Sequence, residues 1–487
     1  MPNNSQLGSS ATRGRAATPG QVLLIVSAGV VLASLDMFIV NVALPRIAVD
    51  LHASGIGGLS WVLNAYAIVY AALLVFFGRL ADRYRRDRAF LLGVALFTLA
   101  SAGCAASTDV EMLVGFRILQ AAGAALLTPT SLSLLLAAYP PQGRAGAVRA
   151  WTAFGGVAAS LGPVVGGLLV AANWRLVFLV NVPVGLAALV VGARMLPRLA
   201  GQDVERPDPF GALLVTGGVA ALTLGVVQGG SWGWGSPRIV TALIAAALLL
   251  GGLAAHTLRS RTPLIHPSLF ASPAFSGSSV IAVFFSIGMG AMLLSIVLFL
   301  QEVWGWSALR AGLAIAPGPL MVPFFSFLVT GRLARRFGPG VTSAVGSLSF
   351  AAGVAWWALG ATAAPDYATG VLGGMVLTGV GVGLTLPILM SSAATSLPAA
   401  SYATGSAVVN MLRQTGLALG VAITVAILGG AADPAAFHRT WWVTAAISLL
   451  AIVPALTVLH RDRGRAVAAT AEPTQPAQPR RAEEPAR

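Results

Sequence analysis

Apolar runs long enough to cross a lipid bilayer dominate this sequence and restrict what it can fold into. Hydrophobic residues make up 56% of its 487 residues and charged residues only 9%, whereas soluble domains carry about 25% charged residues. Because a bilayer offers no partners to backbone N–H and C=O groups, each run is predicted to be a spanning α-helix. The predicted spans are 22–44, 60–80, 89–107, 110–136, 148–171, 174–196, 211–229, 238–257, 275–300, 310–331, 341–361, 369–391, 405–428 and 440–459.

The arginines between the runs are distributed unevenly, and this predicts the topology. With the N-terminus inside, the inner segments hold 23 of the 30 basic residues and the outer segments hold five, while Arg117 and Arg413 lie within runs. By the positive-inside rule, both termini are cytoplasmic and the number of spans is even. The net charge of +14 therefore reflects membrane topology and not nucleic-acid binding. We expect a multi-pass protein of the plasma (inner) membrane.

The chain also repeats itself, which predicts a duplicated architecture. Four residues recur 258 positions later: Gly123, Pro129, Pro140 and Gly162 reappear as Gly381, Pro387, Pro398 and Gly420. Two six-helix halves related in this way describe a parallel-repeat transporter with its substrate site between the halves, near the midplane. We predict a leader (1–21), an N-terminal six-helix bundle (22–199), a linker with an inserted helix pair (200–262), a C-terminal six-helix bundle (263–460) and a disordered tail (461–487).

One acidic residue, Asp36, lies inside the first apolar run. A carboxylate at the centre of a bilayer costs roughly 2.5–3.5 kcal/mol on insertion scales, so Asp36 must face the protein interior or a water-filled cavity. It lies eight residues before Leu44, about 12 Å from the outer end, and Arg117 lies about 10 Å inside span four. The two side chains could meet at one level as a titratable ion pair. The alternative is structural, with Asp36 bonded to a neighbouring helix and Arg117 acting as a hydrogen-bond hub.

Two motifs carry a resemblance to a known family. The stretch 78–88, with Gly78, Asp82, Arg83 and Arg86, resembles the signature loop of the major facilitator superfamily, although Arg85 and Asp87 depart from the pattern. The resemblance implies a cytoplasmic latch at those four residues. Span five contains Gly162, Pro163, Gly166 and Gly167, which resembles the kinked-helix motif of proton-coupled exporters in that superfamily.

Further segments are similar to the fourteen-helix drug:proton antiporter family: the run around Asp36 and Asn41, the segment from Arg117 to Gly123, and the segment from Asn410 to Gly416. The resemblance implies two six-helix bundles with an inserted two-helix hairpin. It also implies export of a drug, antibiotic or small amphiphilic metabolite by alternating access, with Asp36 and Arg117 coupling it to protons. Candidate residues of the substrate cavity are Asn41, Trp61, Asn64, Tyr66, Gln120, Phe285, Met289, Met292, Asn410 and Arg413.

Other functions are less well supported by the sequence. A proton-coupled importer would share most of these features, and a transport-inactive membrane sensor would leave the Asp36–Arg117 pair unexplained. No P-loop for ATP is present, and the five histidines lack ligand spacing, so we expect neither an enzyme nor a metal or cofactor, with the proton gradient as the energy source. The expected partners are protons, the bilayer and a monocationic, zwitterionic or neutral amphiphile, and the expected state is a monomer.

Overall fold

The computed structural model describes residues 17–53, 56–198, 208–261, 263–395, 402–429 and 433–459, and these residues form helices and short connections without a strand. Helix formation satisfies every internal backbone group, as the apolar composition requires. The predicted tail, 461–487, lies outside the described residues. The first helix begins at Pro19, so the end of the predicted leader is helical.

In the described part of the chain, fourteen long helical segments follow one another, with a short 3₁₀ segment, Pro267–Ala271, before the ninth. They are α1 (Pro19–Asp50), α2 (Ile56–Arg83), α3 (Arg86–Ala106), α4 (Val110–Ala138), α5 (Pro141–Ala172), α6 (Leu176–Met195), α7 (Pro209–Trp232), α8 (Pro237–Arg259), α9 (Pro273–Val303), α10 (Ala308–Phe337), α11 (Pro339–Gly360), α12 (Ala368–Leu372 continuing as Gly373–Thr395), α13 (Tyr402–Leu428) and α14 (Pro434–Leu459). We call the side where α1 begins and α14 ends the terminal face, and the other side the opposite face.

Thirteen of these segments are long and apolar enough to cross a membrane, and α2 contains a shorter apolar stretch, Gly58–Leu74. The segments are thus consistent with the predicted fourteen spans. Several begin with proline at the first helical position, preceded by a residue whose side chain caps the helix. Ser236 accepts from the backbone N–H of Ile239 at 3.4 Å, and Ser272 accepts from that of Phe275 at 3.4 Å. Proline has no backbone N–H that would need an acceptor at that position, and the capping side chain accepts from a backbone N–H of the first turn that has no partner within the helix.

The packing of α1–α6, which we call the N-half, recurs in α9–α14, the C-half. In the N-half α1 packs against α4, α5 and α6, while α4 packs against α2 and α3, and α3 against α6. Every one of these pairs has its counterpart eight helices later. Helix α9 packs against α12, α13 and α14, helix α12 packs against α10 and α11, and helix α11 packs against α14. This repetition supports the predicted duplication.

Equivalent glycines make the same close contact in both halves. A Cβ atom at Gly123 of α4 would lie 2.6 Å from the backbone nitrogen of Phe97 in α3. At Gly381 of α12 a Cβ would lie 2.7 Å from the backbone nitrogen of Phe350 in α11. Such distances are shorter than van der Waals contact, so only glycine lets these backbones approach.

The two halves meet mainly through two helix pairs, α2 with α13 and α5 with α10, which are related by the repeat. The α5–α10 contact involves Ala308–Phe324, the part of α10 nearer the opposite face, and no comparable packing of 325–337 on α5 is found among the described residues. On the same side, the Gln301 amide donates to the Val42 carbonyl at 3.3 Å. At the α5–α10 seam, packing between the halves is therefore concentrated towards the opposite face.

The hairpin formed by α7 and α8 has no counterpart in the repeat. Its helix α7 packs against both α2 and α13, whereas α8 packs chiefly on α7. Asp208 fastens the foot of the hairpin: its carboxylate accepts from the backbone N–H groups of Gly211 at 2.8 Å and Leu264 at 3.1 Å, and lies 2.9 Å from Nε2 of His256.

The glycine contacts generate a prediction about stability. Gly123→Ala and Gly381→Ala should each destabilise the protein by about 1–3 kcal/mol, because the added methyl group meets backbone atoms that cannot move aside. The midpoint of thermal unfolding of the purified protein, followed by tryptophan fluorescence, measures the effect.

Gly115→Ala is the matched control in α4, since a Cβ there meets nothing within 4 Å. It should leave the midpoint unchanged or raise it. Equal midpoints for Gly115→Ala and Gly123→Ala would contradict the close-contact interpretation.

Candidate functional site: a buried charge network beside the interface between the halves

Asp36 lies in the middle of α1 and is completely buried inside the N-half. Its carboxylate pairs with the guanidinium of Arg117 from α4. It also accepts from the side-chain amides of Gln120 in α4 at 2.8 Å and Asn181 in α6 at 3.2 Å. Donors from two other helices therefore replace the water that the carboxylate would have at the surface.

Arg117 is 1% exposed and is held by contacts from three directions. Besides Asp36, it donates through Nε to the carbonyl of Val62 in α2 at 3.0 Å and through Nη1 to Oε1 of Gln120 at 2.6 Å. Its guanidinium carbon lies 4.1 Å from the ring centre of Tyr66 in α2, a cation–π arrangement. These contacts leave the guanidinium with little freedom while Asp36 is ionised.

Ser101 of α3 completes the network. Its hydroxyl donates to the carbonyl of Phe97 at 2.8 Å and accepts from the amide of Gln120, also at 2.8 Å. The sequence reasoning missed Ser101 and Asn181. Asn181 was detectable as a polar amide inside an apolar run, whereas a helical serine can satisfy itself on its own backbone and gives no such signal.

Asp36 and Arg117 pair as predicted, and helix α1 is longer than the predicted span 22–44. It continues past Leu44 to Asp50, with Pro45 accommodated inside it, so Asp36 lies about 21 Å from the end of the helix. Arg117 is seven residues inside α4, which begins at Val110 as expected.

Within the described part of the C-half there is no equivalent of this network. The 258-residue offset takes Arg117 to Met375 and Gln120 to Thr378, and both are buried. Phe350, the C-half counterpart of Phe97 in the glycine contact, packs instead against Phe285 with ring centres 5.0 Å apart. The charged network is therefore confined to one of two similar scaffolds.

A cavity of about 40 Å³ lies between the halves, next to Arg117. It is lined by Met37, Asn41, Leu63, Asn64, Tyr66, Ala67 and Arg117 from the N-half and by Gly290, Leu293, Leu417, Ala418 and Val421 from the C-half. Both side-chain amide atoms of Asn64 are buried without a hydrogen-bond partner. Since this volume holds about one water molecule, the halves are nearly closed at this level.

Several predicted cavity residues lie elsewhere. Phe285, Met289 and Met292 of α9 are buried in the main apolar core, because Gly290 and Leu293 present the face of α9 that is turned to the cavity. Trp61 is partly buried against the same core. Gln120 belongs to the charge network, and Asn41, Asn64 and Tyr66 do line the cavity.

Helix α13 contributes polar side chains one to two turns from the cavity. Asn410 is half-buried and accepts from Nη1 of Arg413 at 3.0 Å. The amide of Gln414 contacts the sulfur of Met37 at 3.9 Å. The Nε atom of Arg413 and Oε1 of Gln414 are buried without a hydrogen-bond partner.

The glycine-rich motif of α5 contacts both halves. A Cβ at Gly162 would lie 2.7 Å from Cβ of Phe38, and one at Gly166 would lie 2.9 Å from the Ile39 side chain, both in α1. A Cβ at Gly167 would lie 2.6 Å from Cα of Leu309 in α10. A Cβ at Gly312 of α10 would likewise lie too close to the carbonyl oxygen of Pro163. The motif thus brings α5 close to α1 and α10 at once.

The stretch 78–88, predicted as a loop, is mostly helical. Helix α2 continues to Arg83, α3 begins at Arg86, and only two residues connect them. Arg85 donates to Asp87 at 3.2 and 2.5 Å, so the two departures from the family pattern pair with each other. This hydrogen bonding raises the pKa of Arg85. The Asp87 carboxylate also stabilises the positive N-terminal end of α3.

The latch residues of this stretch can be placed only in part. A Cβ at Gly78 would lie 3.7 Å from Pro129 of α4, and Arg83 and Arg86 are at the end of α2 and the start of α3. The side chain of Asp82 lies outside the described part of the chain.

Two related six-helix halves that meet at a mainly apolar cavity with a few polar side chains have the architecture of a polytopic secondary transporter. The chain belongs to the Major Facilitator Superfamily, whose family model matches residues 26–421. The fold agrees: a solved structure of proton dependent oligopeptide transporters superposes with a TM-score of 0.66, covering 92% of this chain and all of that chain at 17% identity.

Curated relatives share more sequence. The chain is 34% identical over 433 residues to the methylenomycin A resistance protein of Bacillus subtilis. This match covers 88% of this chain and 90% of the relative. It is also 34% identical over 430 residues to the tetracenomycin C resistance and export protein of Streptomyces glaucescens, covering 86% and 76%.

The buried ion pair generates a second prediction. Arg117→Met should destabilise the protein by about 3–5 kcal/mol, because it leaves the Asp36 carboxylate buried without its cation. Combining it with Asp36→Asn should recover part of the loss, with an interaction energy of about 0.5–3 kcal/mol. Thermal unfolding of the wild type, both single variants and the double variant measures this cycle. If the two changes in unfolding free energy simply add, Asp36 and Arg117 do not stabilise each other.

Proposed function

We propose that the protein is a proton-driven exporter of a drug, antibiotic or small amphiphilic metabolite across the plasma membrane, working by antiport. One observation carries the proposal: the only carboxylate buried at mid-membrane among the described residues, Asp36, pairs with an arginine that also lines the cavity between the halves. Intramembrane ionisable residues of this kind mark proton or substrate pathways. The resistance and export activities named for the relatives support the same function.

The network offers a way to couple protonation to movement. While Asp36 is ionised, it holds Arg117, Gln120 and Asn181 in place through charge-assisted hydrogen bonds. Protonation removes the charge and weakens these bonds. Because Arg117 touches both Asp36 and the cavity, a change in its position alters the contact surface between the halves, on which the equilibrium between their two arrangements depends.

The arginine distribution makes the terminal face cytoplasmic in this proposal. The halves then pack together at the outer face through the α5–α10 glycine contacts and the Gln301–Val42 hydrogen bond. This arrangement suits the inward-facing stage of the cycle. Opening to the outside requires those contacts to break and the inner ends of the halves to close, a rocking motion about the fixed site.

An importer that moves substrate and proton in the same direction remains the second candidate, since a buried acid serves either direction. The close α1–α5–α10 packing at Gly162, Gly166 and Gly167 favours export because it matches the exporter motif. A transport-inactive sensor is a third, weaker candidate, and it gives no role to the Asp36 network.

Asp36→Asn should abolish substrate-driven proton movement while leaving the protein in the membrane, because asparagine keeps the size and some hydrogen bonds but cannot be protonated. A susceptibility panel in an efflux-deficient host first identifies compounds that the wild type confers resistance to. Release of protons from acidified everted vesicles on addition of such a compound is then followed with a pH-sensitive dye.

Asp109→Asn is the matched control, because Asp109 caps α4 at its surface end, accepting from Met112 at 2.7 Å, and asparagine caps helices equally well. It should retain proton release. Normal proton release by Asp36→Asn would show that this residue is not the proton carrier.

The direction of transport separates the two leading candidates. Everted vesicles with an acidic interior should accumulate the compound if the protein is an antiporter, since the internal protons leave in exchange for the entering drug. Accumulation driven instead by an acidic exterior would identify a symporter.

A further inference from the structure

We propose that Arg413 of α13 forms a subsite for an acidic group, so that the preferred substrates are amphiphiles bearing a carboxylate. The inference rests on the proposed function, because it specifies the class of substrate that the exporter recognises. It departs from the sequence-based expectation of a monocationic, zwitterionic or neutral amphiphile, because of these three classes only the zwitterion carries an acidic group.

The guanidinium of Arg413 has hydrogen-bonding capacity that the protein leaves unused. Nη1 donates to Oδ1 of Asn410 at 3.0 Å, whereas Nε is buried without a partner. The nearby ionisable group that interacts with it is the phenol of Tyr70 in α2, and no carboxylate of the described residues does so. Arg117, the other intramembrane arginine, has Asp36 as its own counter-ion.

Arg413 lies where a substrate would pass between the halves. It is one helical turn from Leu417, on the same side of α13, and Leu417 lines the cavity. Tyr70 is likewise one turn from Tyr66, which lines the cavity from α2, and the two tyrosine rings are stacked with centres 5.9 Å apart. The guanidinium therefore lies on the terminal-face side of the cavity, at the α2–α13 boundary between the halves.

Two neighbouring amides add to the subsite. Asn64 is fully buried with both side-chain polar atoms unpartnered, and Oε1 of Gln414 is also unpartnered. Buried polar atoms without partners are uncommon in folded proteins and need an explanation. A ligand that extends from the cavity towards Arg413 would offer polar groups to Asn64 in the cavity and to Arg413 one turn away.

The charge of the site selects the chemistry of the ligand. With Asp36 neutralised by Arg117, the described polar residues around the cavity leave Arg413 as the uncompensated charge. A guanidinium forms short, charge-assisted and often bidentate bonds with carboxylates. A cationic amphiphile would instead meet a like charge in a region of low dielectric, where repulsion is strong.

Equilibrium dialysis with the purified full-length protein in lipid nanodiscs tests this recognition. The probes are anthracene carboxylate and anthracene carboxamide, which share shape and apolar surface and differ in charge. Wild type should bind the carboxylate about ten-fold more tightly than the carboxamide, a difference of about 1.4 kcal/mol. Arg413→Gln should remove this preference by weakening carboxylate binding alone, and Arg413→Lys should retain much of it.

Unchanged carboxamide binding shows that Arg413→Gln is folded. Arg310→Gln is the control for loss of one positive charge, because Arg310 lies over the Trp306 ring, away from the cavity, and it should keep the preference. The proposal is overturned if wild type binds both probes equally or neither, or if Arg413→Gln keeps the preference.

Binding is measured without a proton gradient, so the result is independent of coupling. Loss of proton release in Asp36→Asn with no carboxylate preference in wild type would refute the subsite alone. A carboxylate preference in a protein that moves no protons would refute the exporter and leave the subsite standing.

Discussion

The fold of the N-half depends on compensating one negative charge far from water. The buried Asp36 carboxylate is contacted by Arg117, Gln120 and Asn181 from α4 and α6, and Ser101 of α3 holds Gln120. An unpaired buried charge would destabilise the protein by several kcal/mol. Hydrogen bonds therefore connect four helices, α1, α3, α4 and α6, through a single carboxylate. A change in the charge of that carboxylate would alter contacts of all four.

The two halves share one arrangement of helices but bury different side chains. Both halves use the same helix pairs and the same glycine contact, Gly123 on α3 and Gly381 on α11. In the C-half, the 258-residue offset places buried Met375 at the position of Arg117 and buried Thr378 at that of Gln120. A half with a buried ion pair thus packs against a half of similar helix arrangement in which Met375 stands at the position of the arginine.

The sequence predicted the helices and the Asp36–Arg117 pairing well, because hydropathy and the energetic penalty for a buried charge are strong local signals. The direction in which side chains point was harder to predict from the sequence. Met289 and Gly290 are neighbours on a helix that is apolar all round, so periodicity could not tell which of them faces the cavity. Ser101 gave no signal either, since its role depends on contacts between helices that are distant in sequence.

The hairpin of α7 and α8 makes the two seams between the halves unequal. Helix α7 covers the seam formed by α2 and α13, whereas no extra helix packs over the α5–α10 seam among the described residues. The α2–α13 seam is thus shielded from the surrounding acyl chains by α7, whereas the α5–α10 seam is not. The two flanks of an otherwise pseudo-symmetric molecule therefore differ in how they meet the lipid.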